Sequence, residues 1–501
     1  MRAFTLIILS GLLWAAVLFS PRRPEGISVS EDRGGCTTAV IRSSATANGR
    51  PLLWKNRDVS YPDQEIIHFR ATPYSFVSII TAGDTTQAWG GVNETGFAIE
   101  DATNLNTSDN VPGPDDDGFI IKLALTRCRT VADFQTILDS TQVPGHTQPA
   151  IFGVIDSAGG AAIFETFAHS YVRYNASDSA AAPLGVLVRS NFSYAGSTTG
   201  RVGVYRHDRA KLFIENAIQG DTLTAKYICR KVARDLRTTN SFDPYPLPYE
   251  GQQGGLPRGW ISTAGAICRR LSVSGLVVEG VLPTESPRLS TLWAFPMAVQ
   301  YGVPIPFWQI SRITPPQVNG DSVAPLCSEG LRIKTMAQHF AGFRDTLDTY
   351  VLVDGHGGGV HLTTFPLEDQ IFEIADSAMA DWRLLERPDS LRMTALTFAL
   401  AQMAYDTMHA WPGPGDLYVP PRAVSNLTLF WVPGVGLRLR WSPVTRDTLG
   451  ALITPAGYSI WRFRTWPGSR DSVGFTTGRM YIVPEYPGDS TATYEVRAIR
   501  E

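Results

Sequence analysis

A cysteine that directly follows two glycines is the chemically reactive feature near the start of this 501-residue chain. Cys36 comes after Gly34 and Gly35, and a charged segment, residues 55–58 (Lys-Asn-Arg-Asp), follows about twenty residues later. A cysteine attacks carbonyl groups as the thiolate, and its free pKa of about 8.5 leaves little thiolate at neutral pH. The residue types therefore indicate nucleophilic attack by a thiol that needs a base and neighbouring charges.

A cut between Gly35 and Cys36 would give the cysteine its own base. The new α-amino group, with an ordinary pKa of about 7.7–8.0, could accept the thiol proton, so no separate histidine is required. Glycines before the cut allow the strained backbone that attack on the preceding carbonyl needs, because glycine has no Cβ. Taken alone, Cys36 favours a small buried apolar residue. The residues downstream favour the nucleophile.

Two strands are predicted to position these groups. Residues 37–41 form the first strand, and residues 51–54 form the second. The Asn48-Gly49 turn between them supplies the positive φ angles of a hairpin. This hairpin would bring residues 55–58 back to Cys36.

The stretch from Cys36 to Asp58 resembles the start of an N-terminal-nucleophile (Ntn) hydrolase. The group in question contains the penicillin acyltransferases (peptidase C45-like) and the choloylglycine hydrolases, which act on linear amide C–N bonds. Three later segments carry the same resemblance: GVNETGFAI at 91–99, LVRSNFS at 187–193 and YRHDRA at 205–210. The resemblance covers about residues 36–209, and its motifs are specific only in combination.

The resemblance implies roles for individual residues. Asn191 would offer its side-chain amide to the tetrahedral oxyanion, and losing one such donor typically costs about 2.7–4 kcal/mol of transition-state stabilisation. Arg206 would stabilise the thiolate by its charge, with Arg201 as the alternative if the register differs. Asp58 would hydrogen-bond the surroundings of the nucleophile.

The remaining implied site residues lie on strands. The strand that leaves the 91–99 turn would supply a backbone donor to the oxyanion, at Thr103 or Asn104. Lys55 stands where relatives carry an arginine, three residues before Asp58, and is assigned to the same oxyanion and substrate-binding set. Lysine keeps the charge but loses the planar fork of arginine, which argues against tight carboxylate recognition here and against a bile-salt preference.

Strands, then helices, then strands again suit an α+β fold, the four-layer αββα Ntn sandwich. Strands are predicted at 66–70, 75–81, 86–90, 150–155, 161–166, 170–174 and 185–189, and within 259–296. Helices are predicted at 118–140 with a break near 129–130, at 209–218 and 223–236, and at 369–410 with a break at 386–388.

The pattern along the chain predicts five parts. They are a signal peptide or membrane anchor (1–20), a propeptide (21–35), the Ntn catalytic domain (36–410), a Pro/Gly-rich linker (411–421) and a small β-sandwich (422–501). The last part resembles a fibronectin type III domain in its short strands and aromatic core residues. The apolar start predicts a secreted, periplasmic or cell-surface protein. A membrane anchor, if this segment forms one, would be present only before processing.

The overall composition excludes some partners and cofactors. A net charge of −3 gives no electrostatic case for nucleic-acid binding. No CxxC pair exists, so a zinc site of that kind is excluded, and His356 and His361 are too isolated to indicate a metal. The predicted chemistry needs no metal or cofactor. The four other cysteines form either two disulfides or four free thiols: Cys128, Cys229, Cys268 and Cys327.

Two segments have competing interpretations. Residues 301–308, YGVPIPFW, suit either a wall against an acyl group or core packing. Residues 356–359, HGGG, would form an oxyanion loop in a serine esterase, but that mechanism requires a G-x-S-x-G elbow, which this chain lacks. A glycine turn is therefore predicted there.

The sequence thus predicts a secreted, self-processing Ntn amidohydrolase or acyltransferase. Cys36 would attack the amide of a small N-acyl compound and hold the acyl group as a thioester, which water or a second amine would release. The alternative is a non-catalytic cell-surface binding protein. A mature chain that begins at Cys36 distinguishes the enzyme from this alternative.

Overall fold

The structure is a computed structural model and describes residues 35–499 with gaps at 240, 321–322, 339–344, 354–357, 386–387, 414–423, 433–435, 447–454, 456, 464–469 and 484–492. The strands are β1 Thr37–Ile41, β2 Leu52–Asp58, β3 Gln64–Phe69, β4 Phe76–Thr81, β5 Gly90–Asn93, β6 Ala98–Thr103, β7 Ala150–Ile155, β8 Ala161–Thr166, β9 Tyr171–Asn175, β10 Val186–Arg189, β11 Trp260–Ser262, β12 Ser272–Glu279, β13 Thr291–Phe295, β14 Ile305–Trp308, β15 Thr346–Asp348, β16 Thr428–Val432, β17 Gly436–Arg440, β18 Gly457–Phe463, β19 Arg470–Thr476, β20 Met480–Ile482 and β21 Thr493–Ile499. The helices are α1 Asp117–Arg127, α2 Val131–Thr141, α3 Val204–Gln219, α4 Ala225–Tyr227, α5 Pro325–Gln338, α6 Thr349–Leu352, α7 Val360–Arg383 and α8 Ser390–Ala410.

Two antiparallel sheets form the centre of the molecule. One has six strands in the order β10-β1-β2-β12-β13-β14, and the other has seven in the order β3-β4-β5-β6-β7-β8-β9. In the six-stranded sheet Thr38 pairs with Lys55 across β1 and β2, and Asp58 pairs with Ser272 across β2 and β12. Cys36 therefore lies at the end of a central strand, beside the end of β2.

The two sheets pack face to face at close range. A Cβ atom added to Gly153 of β7 would lie 3.0 Å from Val40 and 3.1 Å from Leu53, which belong to β1 and β2. Both of these side chains are fully buried. A glycine at this position thus allows the close approach of the sheets.

Helices cover the outer face of each sheet. Phe134 of α2 packs edge-on against Phe152 and Phe164 of the seven-stranded sheet, with ring centroids 5.4 and 5.2 Å apart. Phe372 of α7 stacks on Trp293 of the six-stranded sheet at 4.0 Å. The layers follow the expected order αββα.

Most predicted elements are present, and several differ in their bounds. The predicted helix at 118–140 is two helices, α1 and α2, separated where the break was expected. The strand predicted at 86–90 is wrong: the Asp84 carboxylate accepts the Thr86 backbone N–H at 2.9 Å, which makes a turn, and the strand begins at Gly90. The last helical region begins at Val360 rather than 369.

Several of the remaining predictions can be compared with the described residues. Residues 301–308 include β14 and are buried throughout, which favours core packing. All five cysteines are free and buried, which favours the thiol alternative. Residues 1–34, which carry the predicted signal and most of the propeptide, lie outside the described residues, as do most of the linker and residues 356–357 of the HGGG segment. Within the described residues no helix is long and apolar enough to cross a membrane.

The C-terminal strands form two three-stranded sheets, β16-β17-β20 and β19-β18-β21. They share a small core that includes Leu439, Trp441, Tyr458, Ile460, Val483 and Val496. The sequence predicts strands at 427–431, 436–441, 458–462, 480–483 and 494–498, which correspond to β16, β17, β18, β20 and β21, and it predicts none at β19. The resemblance to a fibronectin type III domain remains a prediction.

Candidate active site

Cys36 is held at the junction of β1 and β2. The residue is 6% exposed. The backbone N–H of the preceding Gly35 donates to the Asp58 carbonyl at 2.8 Å. The hairpin therefore brings the predicted aspartate next to the predicted nucleophile. It closes through the loop of residues 42–51, in which Gly49 has the predicted positive φ (+72°) and Asn48 does not.

Arg206 links three of the predicted site residues. Its Nη1 donates to the Cys36 carbonyl at 2.6 Å, and its Nη2 donates to Asn191 Oδ1 at 2.8 Å. Nη1 also lies 3.9 Å from Asp58 Oδ2. The side chain reaches this position from the first turn of α3, which begins immediately after Gly203 with φ +78°. The predicted fallback, Arg201, instead has its guanidinium 5.0 Å from the Phe192 ring centroid.

Asn191 lies on a loop whose backbone is held by hydrogen bonds to a buried carboxylate. The buried Glu165 carboxylate of β8 accepts the backbone N–H groups of Tyr194 and Ala195, both at 2.9 Å. The same carboxylate accepts Arg189 Nε at 2.6 Å, immediately before the loop. Asn191 itself uses one of its two amide hydrogens, because Nδ2 donates to the Thr103 carbonyl at 3.1 Å.

The two residues expected to supply a backbone oxyanion donor are arranged differently from each other. Thr103 reaches the site through its carbonyl, which accepts from Asn191. The backbone N–H of Asn104 donates to the Pro149 carbonyl at 3.0 Å. Its side-chain Nδ2 donates to the Thr166 carbonyl at 3.1 Å. In this arrangement the Asn104 backbone N–H is therefore bonded to Pro149 and does not point to a substrate oxyanion.

Two residues that the sequence analysis missed complete the surroundings of Asp58. Asp58 Oδ2 accepts Arg269 Nε at 2.8 Å, and Asp58 Oδ1 accepts Ser272 Oγ at 2.6 Å. The Arg269 Nη2 atom also donates to the Gly35 carbonyl at 3.4 Å. Both residues lie beyond the segment that carries the resemblance. The only local signal for Arg269 is its position in an Arg-Arg pair just before an apolar strand.

Gly35 fits between these groups because it has no side chain. A Cβ atom added there would lie 2.3 Å from Asn191 Oδ1 and 3.0 Å from one guanidinium nitrogen each of Arg206 and Arg269. Contacts under 3.0 Å require something to move. The residue before Cys36 must therefore be glycine for the surrounding polar groups to keep these positions.

Lys55 is buried behind the cysteine and does not lie on the surface of the site. Its Nζ donates to Asp101 Oδ1 at 2.5 Å and to the Trp89 carbonyl at 3.0 Å. Burial alone would lower the pKa of this ammonium, but the charges of Asp101 and Cys36 raise it above its ordinary value. Lys55 is therefore positioned to act on the thiol by its charge.

The Cys36 thiol is protonated in this environment. Burial raises its pKa, and the positive charge of Lys55 offsets this only in part, while the carboxylates of Asp101 and Asp58 add to the increase. Attack by this thiol therefore needs a group that removes its proton.

A second buried carboxyl lies between the sheets near Lys55. Thr38 Oγ1 is 2.8 Å from the Trp54 carbonyl and 2.5 Å from Glu100 Oε1. A hydroxyl has one proton to donate, so Thr38 can donate either to the Trp54 carbonyl or to Glu100. Burial raises the pKa of Glu100 to about 8, although the charge of Lys55 and the hydrogen bond with Thr38 lower it.

The described residues contain no group of three or more His, Cys, Asp or Glu side chains that could hold a metal ion. His361 is buried, with Nε2 3.2 Å from the Gln300 carbonyl. The polar groups around Cys36 are arginine, lysine, amide, hydroxyl and carboxylate groups.

Comparisons with known proteins give one family match and several structural matches. Residues 44–193 match the model of the family described as acyl-coenzyme A:6-aminopenicillanic acid acyl-transferase. This segment contains Asp58 and Asn191 but ends before Arg206 and begins after Cys36. A comparison with curated proteins finds no match.

Solved structures show a distant likeness. A mutant of the conjugated bile acid hydrolase from Clostridium perfringens is 12% identical, with a TM-score of 0.34, covering 55% of this chain and 92% of its own. Penicillin V acylase from Agrobacterium tumefaciens is 14% identical, with a TM-score of 0.32, covering 55% of this chain and 85% of its own. These scores are too low to support an argument about function. The family match covers residues 44–193, less than a third of the chain, and likens this segment to acyltransferases.

Proposed function

We propose that this chain is a cysteine Ntn amidohydrolase or acyltransferase that activates itself by cleavage before Cys36. The observation that carries the proposal is the convergence of Asp58, Asn191 and Arg206 on the Gly35–Cys36 peptide. These residues come from three separate parts of the sequence. Their convergence supports one site in which the same groups serve self-cleavage and then catalysis.

Self-cleavage would begin with attack by the Cys36 sulfur on the Gly35 carbonyl carbon. Arg269 donates to the oxygen of that carbonyl, where negative charge would develop in the transition state. The bond from the carbonyl carbon to the Cys36 nitrogen breaks as the new C–S bond forms. The thiol proton passes to that nitrogen, and water then hydrolyses the thioester to leave a Gly35 carboxylate and a free Cys36 amine and thiol.

The departure of Gly35 would open the substrate position. The space that it occupies is bordered by Asn191, Arg206 and Arg269. A substrate carbonyl in the same place would meet the guanidinium groups of Arg206 and Arg269, whereas Asn191 presents its acceptor oxygen, Oδ1, to this space. The new α-amino group would take the thiol proton, so that Cys36 attacks as the thiolate.

The catalytic cycle would then pass through a thioester on Cys36. Attack on an N-acyl amide breaks the C–N bond, and the leaving amine takes the proton held by the α-amino group. Water releases the acid, or a second amine receives the acyl group. The substrate is accordingly a small N-acyl amide, and no cofactor enters the reaction.

The remaining parts of the chain are assigned from the sequence. The apolar segment at residues 1–20 supports export, and residues 21–35 would leave with it on self-cleavage. We assign residues 422–501 to a fibronectin type III-like module without a catalytic role. The family match speaks against the alternative of a non-catalytic binding protein.

Trapping the acyl group on Cys36 tests the proposal. The purified enzyme is mixed with a panel of amides (penicillins, bile-acid conjugates and N-acyl amino acids), quenched in acid and analysed by intact mass and peptide mapping. We expect an added acyl mass on Cys36 for at least one compound, and its loss in Cys36→Ala. A Cys128→Ala variant, which changes another buried thiol, should still be acylated. Turnover that persists in Cys36→Ala would refute the proposal.

A further inference from the structure

A cavity of about 300 Å³ lies beside the cluster around Asp58. Its walls come from the segment after β2, from the residues before β12 and from α5, and include Val59, Arg270, Leu271, Leu331 and Lys334. None of these residues has a role in the reaction described above.

The cavity is directly next to the site along two segments of chain. Val59 follows Asp58, and its backbone N–H donates to the Leu271 carbonyl at 2.9 Å. Arg270 and Leu271 lie between Arg269 and Ser272, the two side chains that hold Asp58. Val59, Arg270 and Leu271 therefore line the cavity. Their neighbours in sequence, Asp58 and Arg269, contact the Gly35–Cys36 peptide.

The direction of the chain at Gly35 shows which half of an amide approaches the cavity. Gly35 is on the acyl side of the bond that would be cut, and its N–H points to the Asp58 carbonyl at 2.8 Å. The next residue after Asp58 lines the cavity. A substrate acyl group that follows the path of Gly35 would extend toward this space.

Lys334 places an ammonium at the wall of this cavity. Its Nζ donates to the Arg270 carbonyl, and among the described residues no acidic side chain forms an ion pair with it. Arg270, by contrast, donates to Asp345 Oδ1 at 3.1 Å.

Burial and the charge of Arg270 lower the pKa of Lys334 to about 8, and Cys268, Asp58 and Cys327 offset this only in part. A partly buried ammonium that has no counter-ion is stabilised when a carboxylate binds. A carboxylate in the cavity would supply that counter-ion.

We propose that this cavity receives a carboxylate at the far end of the substrate's acyl group, with Lys334 as its counter-ion. The preferred substrates would then be monoamides of dicarboxylic acids. This inference rests on the proposed function, because it assigns the acyl half of the same amide.

Kinetics on three matched anilides test the assignment. Glutaryl anilide carries a carboxylate on the acyl half, and pentanoyl anilide lacks it. The third compound, 4-(pentanoylamino)benzoate, carries a carboxylate on the amine half instead. Lys334→Met should lower kcat/KM for glutaryl anilide by roughly tenfold to a hundredfold and leave the other two unchanged. Lys211→Met, which removes an exposed lysine, should change none of them. An equal effect on all three, or a loss confined to the aminobenzoate, would overturn the proposal.

A binding measurement separates this inference from the proposed function. Lysines are trace-labelled with acetic anhydride, and the extent of labelling at each lysine is read by mass spectrometry. Glutarate should protect Lys334 but not Lys211, and the neutral glutaramide should protect neither. Protection by both compounds, or by neither, would refute the carboxylate site. Absence of turnover on all three anilides, together with protection by glutarate, would count against the enzyme mechanism and leave the site intact.

Discussion

Two arginines donate hydrogen bonds to the backbone carbonyl groups of Gly35 and Cys36, the two residues at the proposed cut. Arg206 donates to the Cys36 carbonyl, and Arg269 donates to the Gly35 carbonyl. The sequence motif indicated Arg206, because it opens a helix within the segment that carries the resemblance. Arg269 could not be assigned in this way, since its role depends on the pairing of β12 with β2, more than 200 residues apart in sequence.

Gly35→Ala should slow self-cleavage. The added methyl group would lie 2.3 Å from Asn191 Oδ1, and relieving such a contact typically costs about 1–3 kcal/mol, or roughly fivefold to 150-fold in rate. The uncut chain would accumulate, while any mature product would be identical to wild type. Intact mass of protein collected over time measures both forms. Gly220→Ala, where the nearest atom would be 3.4 Å away, is the control, and wild-type speed for Gly35→Ala would contradict the account.

The hairpin of β1 and β2 is the element that the sequence predicted most completely. Turn chemistry at Asn48-Gly49 and the apolar residues on both sides are local signals. The position of Lys55 was harder to anticipate. Its place on the hairpin was predicted, but its burial against Asp101 depends on how β2 faces the other sheet. The sequence therefore predicts Lys55 at the substrate-binding surface, whereas in the structure it packs between the sheets.

Glu100→Gln should remove a component of the pH dependence of stability. Burial raises the pKa of Glu100 from 4.5 to about 8, so the folded chain holds a proton that the unfolded chain loses above its lower pKa. The contribution of this proton to the free energy of unfolding is complete below pH 4.5 and is lost as the pH rises to about 8. This loss is on the order of 4 kcal/mol.

Urea unfolding at pH 5 and pH 9 measures this component. The wild type should lose more stability than Glu100→Gln between the two values, because glutamine keeps the shape and cannot ionise. Equal losses in the two proteins would show that Glu100 is ionised when folded.

At the scale of the whole molecule, the C-terminal strands have a core of their own. The residues of that core belong neither to the core between the two central sheets nor to the core under α1 and α2. The all-β character was predictable from short apolar strands after a proline–glycine segment, whereas β19 has a weak alternation and was missed.

A chain that ends at residue 413 should therefore fold and cleave itself at the rate of the full chain. Loss of cleavage with retained helical circular dichroism would contradict the assignment of residues 422–501 as non-catalytic.

The most direct test of the account is the identity of the first residue of the mature chain. Wild-type protein and a Cys36→Ala variant are purified in parallel, and their N-termini are determined by intact mass and sequencing. The account predicts that the wild type begins at Cys36 and that the variant keeps Gly35 and residues before it. A cut at the same place in both proteins would mean that another protease makes it, and would contradict self-cleavage by Cys36.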